Sequence, residues 1–251
     1  MSSADSERVI IASAPGKVLV TGGYLVLDQK YTGLVIGTSA RFYTIIHNKK
    51  KNTEQENITV RSPQFKQADW QYKVSLLDDT LEFTAKETES PNKFVQTCLR
   101  FTLIVIHQLI GSSLFNKTLG DGLDISIIGD NDFYSQREEL EKLGLSVKQA
   151  SSREQLKPFC DTHATLKTVN KTGLGSSAAL TTSLVGALFL YFNVFQDLQE
   201  NNANLTWIHN VAQFVHCFAQ GKVGSGFDVS AAVFGSHRYQ RFNPSILTPI
   251  M

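Results

Sequence analysis

The order of elements along these 251 residues predicts an α+β domain. Three observations carry that expectation. Strand-type runs fill the first quarter, helical patterns fill the last third, and no regular strand–helix alternation links them. The composition, 42% hydrophobic and 19% charged, supplies a core for one large domain or two small ones.

Arg8–Ser13 and Val18–Thr21 read as two short strands, with Ala14-Pro15-Gly16-Lys17 as a tight turn between them. Leu34–Gly37, Phe42–His47, Ile58–Arg61 and Trp70–Ser75 read as further, mostly antiparallel strands. The polar run Asn48–Glu56 reads as a hairpin tip or loop. Lys93–Ile110 reads as a helix, with Pro91 in its first turn and Gly111 just past its end. Leu123–Ile128 is a strand, Asp130–Lys157 a long polar loop with one helical piece, and Ala164–Thr168 a short strand. A helix begins near Ser176. The stretch Thr172–Gln196 has no charge, but its apolar run Val185–Phe195 is shorter than the roughly 20 residues a membrane span needs, so it predicts a buried helix. Leu205, Ile208, Val211, Ala212, Val215, Phe218 and Ala219 form one stripe of a helix over Asn204–Gln220, with Thr206 or Asn204 as its cap. Gly221–Gly226 breaks the chain, Phe227–Phe234 restarts a short helix, and Arg238–Phe242 is a last strand.

Several function classes are excluded or disfavoured. The chain is too apolar and too neutral to be disordered. Its 24 Lys+Arg against 23 Asp+Glu lack the basic excess of a nucleic-acid binder. Cys98, Cys160 and Cys217 are odd in number and widely spaced, which predicts no disulfide framework, no cysteine metal site and a reducing, cytoplasmic compartment. Met1–Glu7 has no apolar signal core, and the last residues form no retention or lipidation signal.

Three segments carry chemistry. In Gly173-Leu174-Gly175-Ser176-Ser177-Ala178, glycines and small residues precede a long apolar helix. A helix start offers unpaired N–H groups and a partial positive charge, and a bare glycine turn lets a phosphate approach them. Ser176 and Ser177 add hydroxyls for phosphate oxygens or Mg2+, and no Asp or Glu occupies the first turn. The alternative is a glycine turn with a serine cap. In Gln220–Ala232, three glycines surround Lys222 and Ser225 and deliver Asp228 to a helix start. Asp228 is then either a cap or a carboxylate that orients or deprotonates a phosphoryl acceptor. Lys17, in the Pro-Gly segment, is either a solvated turn residue or a cation that faces the phosphate site.

Together these segments resemble the GHMP kinase superfamily, and most closely the phosphomevalonate kinases of fungal type. The resemblance runs from about Ser13 to Pro244 and rests on Ser13–Asp28, Lys171–Ala179 and Ala219–Phe242 in that order. It implies a two-layer α+β domain of the ribosomal protein S5 domain 2-like kind over residues 8–244, with 1–7 and 245–251 as flexible ends. It also implies transfer of the γ-phosphoryl group of ATP to 5-phosphomevalonate, with Mg2+, in isoprenoid and sterol synthesis. By position, Gly173, Leu174, Gly175, Ser176, Ser177 and Ala178 would bind ATP phosphates, and Ser176 and Ser177 would also face the metal. Lys17 and Asp228 would be catalytic, and Lys222 and Ser225 would touch the substrate. The partners expected are small molecules, with no nucleic acid and no membrane.

Two departures from the family pattern stand out. Mevalonate kinases, which share this layout, place a glutamate metal ligand ahead of the aspartate, whereas no Asp or Glu lies between Glu200 and Asp228 here. Asp130 and Asp132 are the remaining acidic candidates, against a plain loop. No third, Gly-Ala-Gly-Gly-like motif follows Asp228 either. The expectation is therefore the amino-terminal part of a longer kinase, with an exposed apolar face where a second domain packs. The competing readings are an inactive nucleotide-binding fragment and a sister enzyme such as mevalonate kinase. Arg41, Lys93, His209 and Arg238 are open candidates for gripping the substrate carboxylate.

Overall fold

The two expected strands at the start of the chain are one strand, β1 (Val9–Thr21). The computed structural model describes residues 8–49, 56–120, 122–146, 148, 150–198, 202–247 and 249, so the expected flexible start, most of the Asn48–Glu56 loop and part of the expected flexible end lie outside the described residues. β1 pairs antiparallel with β2 (Thr32–Asn48), itself a fusion of two expected strands. Pro15-Gly16 makes no turn there. The register shifts there, because Pro15 and Lys17 stand opposite Arg41 and Gly37, so that β1 runs on while β2 carries the extra residues as a bulge. Proline is tolerated because β1 is an edge strand with no second neighbour to receive an N–H. The bulge also re-aims side chains. Ala12, Ala14 and Gly16 face inward, but the next inward position belongs to Lys17, while Val18 is 43% exposed.

The sheet runs β1-β2-β6-β3-β4-β5, with β7 (His237–Gln240) on the open part of β2. β3 (Ile58–Arg61) and β6 (Leu123–Gly129) are parallel, and every other pair is antiparallel. β5 (Thr80–Ala85) was not expected from the sequence. A two-residue turn joins it to β4 (Asp69–Leu77), with Asp78 and Asp79 at φ of 47° and 61°. Aspartate tolerates that left-handed region, so Asp-Asp served where Asn-Gly is the familiar signal. Ala164–Thr168, by contrast, is no strand. The Thr165 amide donates to Thr168 Oγ1 at 3.1 Å and the Thr168 amide to the Thr165 carbonyl, so the hydroxyls close a turn. The loop after β6, where one helical piece was expected, holds a short α-helix, α2 (Arg137–Lys142), and the 3-10 turns Asn131–Phe133 and Ala150–Gln155.

Four helices form the second layer. α1 (Lys93–Leu119) starts at Asn92, whose side chain accepts from the Phe94 and Val95 amides; Pro91 lies outside the helix. Gly111, at φ 77° and ψ 161°, interrupts it where its end was expected, and a shorter helical piece continues beyond. α1 is long and apolar enough to cross a membrane by length and composition, and here its inner face packs against α3 and α4. α3 (Ser176–Tyr191) is central, against β1, β2 and β6. Twelve of its sixteen residues are buried, which explains an apolar helix with no amphipathic stripe. α4 (Asn202–Gln220) begins two residues before its expected cap, and Phe218 of the expected stripe is 41% exposed. α5 (Phe227–Phe234) has the expected bounds.

The core between the layers includes Phe42, Ile46, Leu99, Leu103, Ile125, Leu188 and Phe189, all within 1% of full burial. Truncating Leu188 to alanine is expected to cost about 2–5 kcal/mol, read as a lower denaturation midpoint in urea, because it opens a cavity among fixed neighbours. At the β1–β2 end, Val18, Val20, Leu34 and Ile36 are exposed beside Tyr24, Leu25 and Leu27. Val18 stands opposite Ile36 in the ladder, so this is an apolar face of the kind expected.

Candidate active site

The phosphate-loop segment is shaped by its glycines. Gly173 and Gly175 have φ of 91° and 78°, a left-handed backbone that side chains rarely adopt. Gly175 is the N-cap of α3, no side chain caps the helix, and its first turn carries no acidic residue. The first-turn N–H groups and the positive end of a largely buried helix are thus left for an anion. Ala178 is 1% exposed, so its side chain belongs to the core and only its amide faces the loop. Ser176 shares a cavity wall with Tyr134, and Ser177 points toward α4.

The register shift opposite Pro15-Gly16 lays Lys17 across this loop. The Lys17 amide donates to the Leu174 carbonyl at 2.8 Å, and its Nζ donates to the Gly173 carbonyl at 2.8 Å. Gly16 permits the approach, since a Cβ there would stand 2.9 Å from the Leu174 carbonyl oxygen and 2.8 Å from Thr38 Oγ1. The ammonium also lies 5.5 Å from the centre of the Phe227 ring. Burial lowers the Lys17 pKa below its ordinary 10.5, and the nearby Asp228 carboxylate opposes that shift. Lys17 and Asp228 therefore face one site from opposite layers. Asp228 is in the first turn of α5, its Oδ1 accepts from the Val229 amide at 3.0 Å, and its side chain remains 22% exposed.

His216 joins the two halves and was not singled out in the sequence. It lies on α4 with Nε2 at 3.1 Å from Ser177 Oγ and 3.8 Å from Asp228 Oδ2. Only its place on an apolar helix could have signalled it, and there a histidine reads as core. Lys167 and Lys171 were also missed, although Lys171 directly precedes the loop. With Lys93, Ser176 and Ser177 they line a cavity of about 250 Å³ at the start of α3. Three lysines at a helix start suit a polyphosphate.

The other expected site residues are placed elsewhere. Lys222 is exposed in the turn after α4, and among the described residues no bond joins it to Lys17, the loop or Asp228. Ser225 leads into α5, where its carbonyl accepts from the Tyr239 hydroxyl. Arg41 is tied to Ser13 Oγ and to the Ser13 carbonyl, both at 2.8 Å. His209 packs against Phe234, and Arg238 is exposed on β7. Of the four carboxylate-partner candidates, Lys93 alone lines the loop cavity. Asp130 Oδ2 accepts from the Arg41 amide at 2.7 Å, and Asp132 pairs with Arg153 at 3.2 Å. Both acids hold the loop after β6. Among the described residues, no group of three or more His, Cys, Asp or Glu could hold a metal ion. The donors present suit a Mg2+ that arrives with a nucleotide and keeps most of its ligands from phosphate and water.

Residues 146–236 match the family model for the GHMP kinases N terminal domain. The chain is 41% identical to the peroxisomal phosphomevalonate kinase of Arabidopsis thaliana, over 95% of this chain and 52% of that protein. It is 39% identical to a phosphomevalonate kinase of Aspergillus fumigatus, over 96% of this chain and 53% of that one. The chain thus spans about half the length of the curated relatives it matches. Among solved structures, Streptococcus pneumoniae phosphomevalonate kinase in complex with phosphomevalonate and AMPPNP has the same fold, with a TM-score of 0.56 at 15% identity. That match covers 95% of this chain and 51% of the other.

Proposed function

We propose that this chain, which matches the GHMP kinases N terminal domain over residues 146–236, carries the ATP-binding and catalytic half of a phosphomevalonate kinase. The observation that carries this reading is the meeting of Lys17, the open α3 start and Asp228 in one site. In the proposed reaction, the bond between the γ-phosphorus of ATP and its bridging oxygen breaks and ADP leaves. A new bond forms from a phosphate oxygen of 5-phosphomevalonate to that phosphorus, giving 5-diphosphomevalonate. The α3 amides and the Ser176 and Ser177 hydroxyls hold the ATP phosphates. Lys17 neutralises charge on the transferring group. Ser177 and Asp228 are the residues that would face a Mg2+ arriving with the nucleotide, which would offset phosphate charge there. Lys93, Lys167 and Lys171 draw the polyanion to the cavity. Lys222 and Ser225 remain proposals for the acceptor side.

The acceptor sets what Asp228 does. A phosphate monoester has its second pKa near ~6 and is mostly deprotonated at neutral pH, so it needs no base. Asp228 instead holds Lys17 and the acceptor in place. Asp228→Asn is expected to lower turnover by less than the about 10²–10⁴-fold that loss of a general base costs, with the alkaline decline moved to lower pH because the carboxylate no longer supports the charged Lys17. Abolished turnover, with substrate affinities and site geometry unchanged, would falsify this role.

The domain is proposed to span residues 8–244, and the apolar β1–β2 face to receive a second domain. Cys98, Cys160 and Cys217 are buried and free, which supports a reducing, cytoplasmic setting. Small molecules are the partners proposed, with a place in sterol as well as other isoprenoid synthesis. A second reading, a nucleotide-binding fragment without turnover, draws on the half-length match to the relatives. Mevalonate kinase is disfavoured because His216, not a glutamate, faces Asp228 from α4.

A further inference from the structure

His216 is 4% exposed, and its partners come from three helices. Besides Ser177 and Asp228, the Gln220 amide nitrogen lies 3.1 Å from Nδ1 and 3.0 Å from Nε2. The Phe94 ring covers the imidazole at 5.5 Å. An amide NH2 group only donates, whereas the ring of a neutral histidine has one donor and one acceptor. The Gln220 nitrogen stands about equally near both ring nitrogens, so it requires one bare nitrogen without choosing which. Nε2 faces the Asp228 carboxylate, which only accepts, so Nδ1 is the bare one. The ring proton then sits on Nε2. A Ser177 oxygen that accepts from Nε2–H keeps its own proton free to point outward.

Resting on the reading that Ser177 meets nucleotide phosphate, we propose that His216 is a positioning residue. As the Nε2–H tautomer it donates to Ser177 Oγ, so that Ser177 donates its hydroxyl proton to a phosphate oxygen. Through the same edge it keeps the phosphate loop in register with Asp228. Ser177 is then a phosphate donor before it is a metal ligand, and α4 becomes the link between two motifs carried on α3 and α5.

The first test uses this chain at neutral pH, without nucleotide. Long-range proton–nitrogen NMR spectra, assigned with His216→Gln, should show a protonated Nε2 and a bare Nδ1 for His216. Ser177→Ala should move the Nε2–H signal. An Nδ1–H tautomer, or a signal indifferent to Ser177→Ala, overturns the proposal. The second test is Mg·ATP affinity by calorimetry. His216→Leu and Ser177→Ala should each weaken binding ~5–10-fold, and the double variant should be no weaker than either alone. His216→Gln, which returns an N–H near the Nε2 position, should recover most of the loss. Additive losses, or failed rescue with an unchanged near-ultraviolet circular dichroism spectrum, overturn it. A wild-type chain with the expected tautomer but no Mg·ATP binding overturns the nucleotide reading, and the phosphate role of Ser177 with it.

Discussion

Lys17→Met is expected to lower turnover by about 10²–10³-fold, the loss seen when one preplaced donor to developing charge is removed. Mg·ATP affinity should fall less, because the α3 amides and the cavity lysines remain. The reason is placement. The ammonium is fixed to the Gly173 carbonyl at 2.8 Å and partly withdrawn from water, where a charge acts more strongly than at an open surface. The same withdrawal gives a pH signature. The charged form does the work, and burial brings its pKa below 10.5. Activity should therefore decline as pH rises through that lowered value, and the residual activity of Lys17→Met should lack this alkaline limb. Steady-state rates across alkaline pH check both statements.

Gly175→Val is expected to destabilise the fold by about 1–3 kcal/mol and to abolish measurable Mg·ATP binding. Two penalties combine at this position. The backbone is left-handed at φ 78°, and a Cβ would stand 3.1 Å from Lys17 Cε and 3.2 Å from Lys17 Cγ. Gly173→Ala is the control, because φ is 91° there but nothing lies within 4 Å of a new Cβ. Both variants should lower the urea midpoint, and only Gly175→Val should also displace Lys17. Calorimetry with Mg·ATP separates them. Equal losses of binding would mean that loop strain matters and the position of Lys17 does not.

What the sequence revealed depended on how local each signal was. The Phe227–Phe234 helix was legible because a glycine run, an acidic first turn and an apolar core fit within a dozen residues. The phosphate loop was legible for the same reason, since Gly173 to Ser177 are contiguous. Pro15-Gly16 misled because the pair usually marks a turn. Its place inside a continuous strand follows only from knowing that β1 lies at the sheet edge and that the Leu174 carbonyl, far along the chain, approaches Gly16. β5 was missed because its turn uses two aspartates in place of glycine. His216 was silent because its meaning comes from Ser177, thirty-nine positions away on another helix, and from Asp228 on a third. A contact between helices leaves no mark on the periodicity of any one of them. The asymmetry is physical: caps and glycine turns are short-range, whereas burial and pairing are set by the whole fold.

The most direct test is ADP release by this purified chain with Mg·ATP, compared among 5-phosphomevalonate, mevalonate and no acceptor. A site that works on an acceptor already ionised, with Lys17 offsetting the repulsion between two anions, should release ADP with 5-phosphomevalonate and stay at the no-acceptor level with mevalonate. Release driven by mevalonate, or no release above background with 5-phosphomevalonate, would contradict it.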